Sequence, residues 1–219
     1  MAKKRTANPT IKEARPGDAG AKPEWKVENV VATVAIDMRG EKIDLNQIAR
    51  KYADCEYNPE RFPGLIMRVP SPKATTLIFS TGKMVITGLR DASEAESVAK
   101  DVIKKIKGAK INIEAEPVVT IQNIVASGNL HVTVDLNEAS ILMDNAMYEP
   151  EVFPGLIYRM PEPRAVFLIF STGRIVCTGC KTKEVVGAAV TKLIKQIRDL
   201  DLTGVGFNSD GTENDDDLL

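Results

Sequence analysis

Apolar and polar residues along this chain form two series of short segments that follow the same order. A β-branched strand is predicted at about 27–36 and again at about 119–126, and a short helix follows each, near 43–51 and 137–144. Four short strands come next in each series, separated by Pro-x-Pro turns and Ser-Thr-Gly hairpins. A longer amphipathic helix closes each series. The pattern therefore predicts an α+β unit of strand, helix, four strands and helix, present twice.

An internal repeat explains the two series. Residues 62–88 and 153–179 match at 18 of 27 positions, and self-similarity of this kind indicates a duplicated structural unit. The two ends of the chain are polar and charged, without apolar periodicity, and are expected to be disordered. The chain is therefore divided into a basic N-terminal tail at 1–24, a first repeat at 25–114, a second repeat at 115–206 and an acidic C-terminal tail at 207–219.

The long helix of the first repeat has recognisable ends. Ser93 and Glu96 have the spacing of a capping box, and Gly108 is placed to end the helix. Apolar residues between them recur at helical spacing, which predicts one buried stripe. With one long helix for about five strands in each repeat, helices can cover only one face of a sheet.

Strand alternation predicts which residues occupy the uncovered face. Successive side chains of a strand point to opposite faces, so Met84 and Ile86 are expected under the helices while Val85 faces away. Leu77 and Phe79 face away from the helices by the same rule. A large uncovered apolar surface usually marks a binding surface, so we expect this face to bind a ligand.

The formal net charge of −1 hides an uneven distribution. Residues 1–26 carry seven Lys or Arg against three Asp or Glu, residues 209–219 carry five acids, and 22 bases and 22 acids remain between them. A nucleic acid would therefore have to be held by local clusters of bases and by shape. No run approaches the roughly 20 apolar residues of a membrane-spanning helix, and three cysteines make no disulfide framework. We expect a soluble protein of a reducing cytosol with no membrane partner.

Two motifs suggest other chemistry. Cys177-x-x-Cys180, with Cys55 and the single histidine His131, could supply a zinc or redox site. Cys177 replaces an isoleucine of the other repeat, which favours a buried apolar role instead. The Ser-Thr-Gly-Lys segment at residues 80–83 lacks the remaining residues of a phosphate loop, and a hairpin explains it better. We expect neither a metal nor a cofactor.

Three duplicated motifs resemble the core domain of TATA-binding proteins. They are the QNIVA-like strand, the LIFSTGKMVITG hairpin and the YxPxxFPGLIxR block from Tyr57 to Arg68 and from Tyr148 to Arg159. The resemblance covers nearly all of residues 25–202, and the basic N-terminus, acidic C-terminus and similar halves resemble the archaeal members. It implies a saddle with a ten-stranded curved antiparallel sheet, four helices on its convex face and no catalytic activity.

The resemblance also implies a general transcription initiation factor that binds the TATA box in the minor groove of A·T-rich promoter DNA. By motif match, the residues that insert into the base stack and bend the DNA are Phe62, Phe79, Phe153 and Phe170. Those that contact bases are Asn29, Val31, Leu77, Val85, Thr87, Asn123, Val125, Leu168, Val176 and Thr178. Those that contact phosphates are Arg68, Lys83, Arg90, Arg159, Arg174 and Lys181.

The chemistry of these residues agrees with a minor-groove ligand. A·T pairs present the acceptors adenine N3 and thymine O2 in that groove, and asparagine amides supply donors. Apolar side chains on the groove floor would oppose the amino group of guanine and so select A·T over G·C. Six phosphate contacts predict a log–log salt slope of roughly −5.

Protein partners are implied as well. In the family, the loop that reads YEPEVF here receives transcription factor B, and the matching positions are Glu149, Glu151 and Val152. The equivalent loop at residues 57–61 contains a base, so the two loops differ in charge. RNA polymerase would join the same complex, at the nucleoid of an archaeal cytoplasm or in the nucleus of a eukaryote.

Two other functions remain open. One is a saddle-shaped nucleic-acid-binding module of a repair or RNA-processing protein, and the other is a small-ligand-binding α+β domain. An enzyme would need a nucleophile, a paired acid and base, or a metal set on the open face, and the sequence offers none of these.

Overall fold

The computed structural model describes residues 23–203. In the described part, ten strands and four α-helices follow the predicted order: β1 (Glu24–Ala35), α1 (Leu45–Lys51), β2 (Cys55–Glu56), β3 (Leu65–Pro70), β4 (Lys73–Ile78), β5 (Lys83–Leu89), α2 (Ala95–Gly108), β6 (Val118–Asn129), α3 (Leu136–Leu142), β7 (Ala146–Met147), β8 (Leu156–Met160), β9 (Ala165–Ile169), β10 (Arg174–Cys180) and α4 (Lys183–Asp199). Of the two predicted tails, only Pro23 and Glu24 are among the described residues.

The strands form a ten-stranded antiparallel sheet in the order β2-β3-β4-β5-β1-β6-β10-β9-β8-β7, which confirms the predicted α+β class. The described chain divides into two compact units. We name as the N-terminal unit Val27–Val125 with Gly179–Lys183, and as the C-terminal unit residues 23–26, Ala126–Thr178 and residues 184–203.

In the N-terminal unit, alternate strand residues form the core under α2. Leu65 of β3 pairs with Ile78 of β4, which pairs with Met84 of β5, and all three side chains are buried. The helix contributes the apolar stripe that its sequence predicts: its buried residues are Ala95, Val98, Ala99, Val102, Ile103 and Ile106. Sheet and helix therefore bury one face of each strand against each other.

The C-terminal unit has the same layers but a bulkier core. Phe167 of β9 is fully buried and stacks on Tyr158 of β8, with ring centroids 6.5 Å apart. The Tyr158 hydroxyl donates to Gln196 of α4 at 3.1 Å, so this ring keeps a hydrogen bond while its body is buried. The first repeat has Thr76 in the place of Phe167, and that buried hydroxyl has no hydrogen-bond partner. The two repeats thus fill equivalent core positions with different chemistry.

The predicted capping box at Ser93 and Glu96 is wrong. A 3-10 turn at Ala92–Glu94 precedes α2, and its N-cap is Asp91. The Asp91 carboxylate accepts from both the backbone N–H of Ser93, at 3.0 Å, and its hydroxyl, at 2.9 Å. These bonds, the backbone one first, hold the pKa of Asp91 below its usual value. An upstream carboxylate therefore uses the serine that the motif had assigned to capping.

Candidate nucleic-acid interface

The sheet face that the helices leave uncovered, called the open face from here on, follows the predicted alternation in the N-terminal unit. Leu77 and Val85 are half-buried, whereas their strand neighbours Ile78, Met84 and Ile86 are almost fully buried. Leu77 and Val85 also pair directly across β4 and β5, so they form one contiguous apolar row. The remaining predicted residues of this unit on the open face are also half-buried: Asn29, Val31, Thr87, Asn123 and Val125.

The C-terminal unit carries the matching row. Leu168 pairs with Val176 across β9 and β10, and both side chains are half-buried. Thr178 lies two residues further along β10 and is half-buried too. Their neighbours Phe167, Ile175 and Cys177 are buried on the other side of the sheet. Each unit therefore presents an apolar strip bordered by a threonine.

The four phenylalanines that are predicted to insert into the base stack, called the wedge phenylalanines below, form two pairs with the same geometry. The rings of Phe62 and Phe79 have centroids 5.8 Å apart with an interplanar angle of 65°. Those of Phe153 and Phe170 are 5.9 Å apart at 64°. Edge-to-face contact of this kind fixes each ring against its partner, and all four rings remain half-buried. The structure thus brings together the pairs that the repeat predicted.

A buried glycine lies beneath each pair. A Cβ added at Gly64 would lie 2.6 Å from Cε1 of Phe62, and one added at Gly155 would lie 2.7 Å from Cε1 of Phe153. Carbon atoms do not approach this closely, so any side chain here would displace the ring. The glycine of each FPGL motif therefore allows the phenylalanine two residues earlier to rest on the main chain.

Each predicted asparagine is oriented by a backbone N–H. The Oδ1 of Asn29 accepts from the Gly88 N–H at 2.7 Å, and the Oδ1 of Asn123 accepts from the Gly179 N–H at 2.8 Å. The Nδ2 of Asn29 also donates to the Thr87 hydroxyl at 3.2 Å. Because each carbonyl oxygen accepts from the backbone and an amide nitrogen has two N–H groups, the nitrogen is the end of each asparagine that can donate to a ligand.

The six predicted phosphate-contacting residues are all exposed. Arg68 and Arg159 occupy alternate positions on β3 and β8, beside buried neighbours, and so lie on the open face. Lys83 and Arg174 begin β5 and β10 and share the face of the valines two residues later. Arg68 also forms an ion pair, in which its Nη2 lies 3.4 Å from Oε2 of Glu56.

Several further residues of the open face are not marked by the sequence motifs. Ile66 pairs with Leu77, Ile157 pairs with Leu168, and both isoleucines are half-buried. Thr75 and Val166 occupy the next pair of equivalent positions. Strand alternation could have predicted them, because these residues alternate with buried ones beside Arg68 and Arg159. They were not predicted because they lie outside the residues assigned by the family motifs.

The cysteines are not arranged for metal binding. Within residues 23–203, no group of three or more His, Cys, Asp or Glu side chains is placed to hold a metal. Cys177 and Cys180 are each 1% exposed, which confirms the buried apolar role predicted for them. Burial first, and then the charge of Asp54, raises the pKa of Cys55 to about 11, so this thiol remains protonated at neutral pH. A hydrogen bond from Lys105 lowers the pKa of Asp54 itself.

None of the described helices is long and apolar enough to cross a membrane.

Comparison with known proteins decides the family. The family model for transcription factor TFIID, or TATA-binding protein, matches residues 24–109 and 118–200. The chain belongs to the TATA-binding protein family. The two matched ranges correspond to the two copies of the internal repeat, so the duplication is part of what defines the match. Members of this family are DNA-binding transcription factors and not enzymes.

Close relatives come from archaea. The chain is 48% identical over 191 residues to the TATA-box-binding protein of Pyrobaculum aerophilum, which covers 87% of this chain and 93% of the relative. It is 50% identical over 179 residues to that of Pyrodictium occultum, covering 82% and 88%. The solved structure of Methanococcus jannaschii TBP has a TM-score of 0.72 at 40% identity and covers 80% of this chain and 99% of that one. These relatives confirm the archaeal type.

Proposed function

We propose that this protein is a general transcription initiation factor that binds the TATA box in the minor groove and bends the DNA. The observation that carries the proposal is the recurrence of one geometry. Each sequence repeat combines a phenylalanine pair, at 5.8 and 5.9 Å, with an apolar strip and an asparagine whose Oδ1 accepts from a backbone N–H. Family membership and the archaeal TATA-box-binding relatives support the same function.

The phenylalanines would act as wedges. An aromatic ring that enters a base step replaces part of the stacking that it interrupts, and unstacking costs a few kcal/mol per step. Phe62 with Phe79, and Phe153 with Phe170, would each kink one end of the site toward the major groove. The kink widens the minor groove, so that an apolar face can lie against its floor.

Base selection would come from the strips and the asparagines. Leu77, Val85, Leu168 and Val176 offer no acceptor to the guanine amino group, which would lose its hydrogen bonds on contact with them. The amide nitrogens of the asparagines would donate to adenine N3 and thymine O2. Since A·T and T·A present nearly the same acceptors in this groove, the flexibility of steps such as TA would supply further selectivity.

Binding measured on three nucleic acids tests this function. We expect fluorescence anisotropy to give an affinity for a TATA-containing duplex that is about 10³-fold higher than for a G·C-substituted duplex. A single-stranded RNA should bind as weakly as the G·C duplex. With six phosphate contacts, the affinity for the TATA duplex should fall with salt at a log–log slope of roughly −5. Equal affinity for all three ligands, or a slope near zero, would refute the proposal.

We further propose that the second-repeat loop binds transcription factor B and thereby recruits RNA polymerase. Glu149, Glu151 and Val152 are exposed, and Val152 is 80% exposed. An exposed valine that follows two acids suits a partner that offers an apolar pocket and basic side chains. The equivalent first-repeat positions are Asn58, Glu60 and Arg61, so the partner would have a reason to choose the second repeat.

A second difference between the repeats supports this choice. In α3, Ile141 is 81% exposed and Leu142 is 47% exposed. The equivalent residues of α1 are Arg50 and Lys51, which are both charged and exposed. The second repeat therefore carries solvent-exposed apolar groups where the first repeat carries bases, and exposed apolar groups favour a protein partner.

Exchanging loop residues between the repeats tests the partner. In the double variant Glu149→Asn with Val152→Arg, we expect affinity of the DNA complex for purified transcription factor B to fall more than tenfold, a loss typical of a central contact residue. Affinity for TATA DNA alone should stay within about twofold, since the loop lies outside the open face. The matched control is Asn58→Glu with Arg61→Val in the first repeat, which should leave factor binding unchanged. If both pairs of substitutions weaken factor binding equally, the second-repeat assignment is wrong.

A further inference from the structure

The edge of the open face differs between the two repeats. In the N-terminal unit, Glu56 of the edge strand β2 pairs with Ile66 of β3. Arg68 lies two residues further along β3 and shares the open face with Ile66. Its guanidinium Nη2 lies 3.4 Å from Oε2 of Glu56, and the two side chains are 64% and 59% exposed. A carboxylate thus accompanies a predicted phosphate-binding arginine.

The C-terminal unit has the same frame without the acid. Met147 of the edge strand β7 pairs with Ile157 of β8, in the register of Glu56 with Ile66. Arg159 lies two residues beyond Ile157, as Arg68 lies beyond Ile66. Met147 is 51% exposed. A thioether therefore stands at the position where the first repeat has a carboxylate.

We propose that Glu56 weakens the phosphate contact made by Arg68 and so makes the first repeat the weaker of the two grips on DNA. This inference rests on the proposed DNA-binding function. In the free protein Glu56 holds the Arg68 guanidinium, which must exchange that carboxylate for a phosphate when DNA binds. The carboxylate then remains beside the sugar-phosphate chain and repels it.

The ion pair between Glu56 and Arg68 is not expected to stabilise the fold much. Exposed pairs of this kind contribute little to folding, about 0 to 1 kcal/mol in general, because solvent screens them and two long side chains must be ordered. Its effect on an anionic ligand is larger, since each phosphate that a base neutralises steepens the log–log salt slope by about 0.9. An acid next to that base cancels much of one such contribution.

The unequal edges also bear on orientation. Two grips of equal strength would let a nearly symmetric protein bind an asymmetric site in either direction. A carboxylate confined to the first repeat favours the direction that places the second repeat on the half-site with the closer phosphates, where minor-groove potential is strongest. Glu56 is thus inferred to be a specificity-determining residue that acts through charge.

Exchange of the two edge residues tests the inference. We expect Glu56→Met to bind a TATA duplex roughly threefold to tenfold more tightly at moderate salt, with a salt slope steeper by about 1. Met147→Glu should weaken binding by a similar factor and make the slope shallower by about 1. The double variant should return to the wild-type slope. Glu56→Gln, which keeps the shape of the side chain, should change affinity and slope in the same direction as Glu56→Met.

The control removes an acid elsewhere. Glu96 lies exposed on α2, so Glu96→Gln changes the net charge equally but should leave the slope unchanged. If Glu96→Gln steepens the slope as much as Glu56→Gln does, or if neither Glu56 variant changes it, the inference is overturned. Failure of the wild-type protein to prefer TATA over G·C-substituted DNA would instead overturn the proposed function, so the two failures are distinguishable.

Discussion

Replacing Phe153 and Phe170 together by alanine is expected to abolish bending at one end of the DNA site while the protein stays folded. Both rings are half-buried on the open face, whereas the core of the same unit is formed by Phe167, Tyr158 and their neighbours. Without the wedges, nothing offsets the few kcal/mol that unstacking a base step costs. The bend at that end should therefore relax toward straight DNA.

Energy transfer between dyes at the two ends of a TATA duplex measures this outcome. We expect the double variant to lose roughly half of the distance change that the wild-type protein produces, since one of two kinks is removed. Phe62→Ala with Phe79→Ala is the matched variant of the other repeat, and it should remove the other kink. Circular dichroism should show all proteins folded. Unchanged energy transfer in the Phe153 and Phe170 variant would count against the wedge assignment.

Asn29→Asp is expected to weaken binding to A·T-rich DNA by about tenfold to a hundredfold. The substitution keeps Oδ1, which accepts the Gly88 N–H at 2.7 Å, so the local fold should persist. It replaces the donating amide nitrogen by a charged acceptor that would face adenine N3 and thymine O2. Leaving a buried base acceptor without its donor costs about 1–3 kcal/mol, and repulsion between acceptors adds to that loss.

Fluorescence anisotropy titrations of the aspartate variants with A·T-rich DNA measure this loss of affinity. Asn123→Asp should behave in the same way, because its Oδ1 has the same bond to the Gly179 N–H. Asn46→Asp in α1 is the control, since it adds the same charge at an exposed position on a helix. Loss of affinity in Asn46→Asp as large as in Asn29→Asp would mean that net charge, and not the donor, determines the effect.

Much of the fold follows from the sequence because the two repeats report the same pattern twice. Alternation around Leu77 and Val85 predicted which strand residues are buried and which are half-buried, and the burial of each side chain confirms it. The same rule placed Leu168 and Phe170 on the open side, and both side chains are half-buried there. Period-two patterning is reliable here since one face of each strand must be covered by helices.

The features that the sequence motifs did not indicate depend either on a residue just outside the motif or on contacts between segments. Asp91 caps the turn before α2 because its carboxylate reaches both donors of Ser93, and a three-residue spacing rule cannot detect a competitor outside its window. Glu56 and Arg68 are twelve residues apart and meet only through the register of β2 on β3. The partnerless hydroxyl of Thr76 likewise follows from burial that its own segment does not reveal.

The glycines beneath the phenylalanine pairs help to fix where the rings of Phe62 and Phe153 lie. The rings of Phe62 and Phe153 rest on main-chain atoms at Gly64 and Gly155, so the backbone and the partner phenylalanine together set the position of each ring. If the proposed function is correct, other residues of the face could change the preferred sequence while the angle imposed on the DNA stayed constant. The bend and the sequence preference would then be separately adjustable, with the two glycines helping to fix the bend.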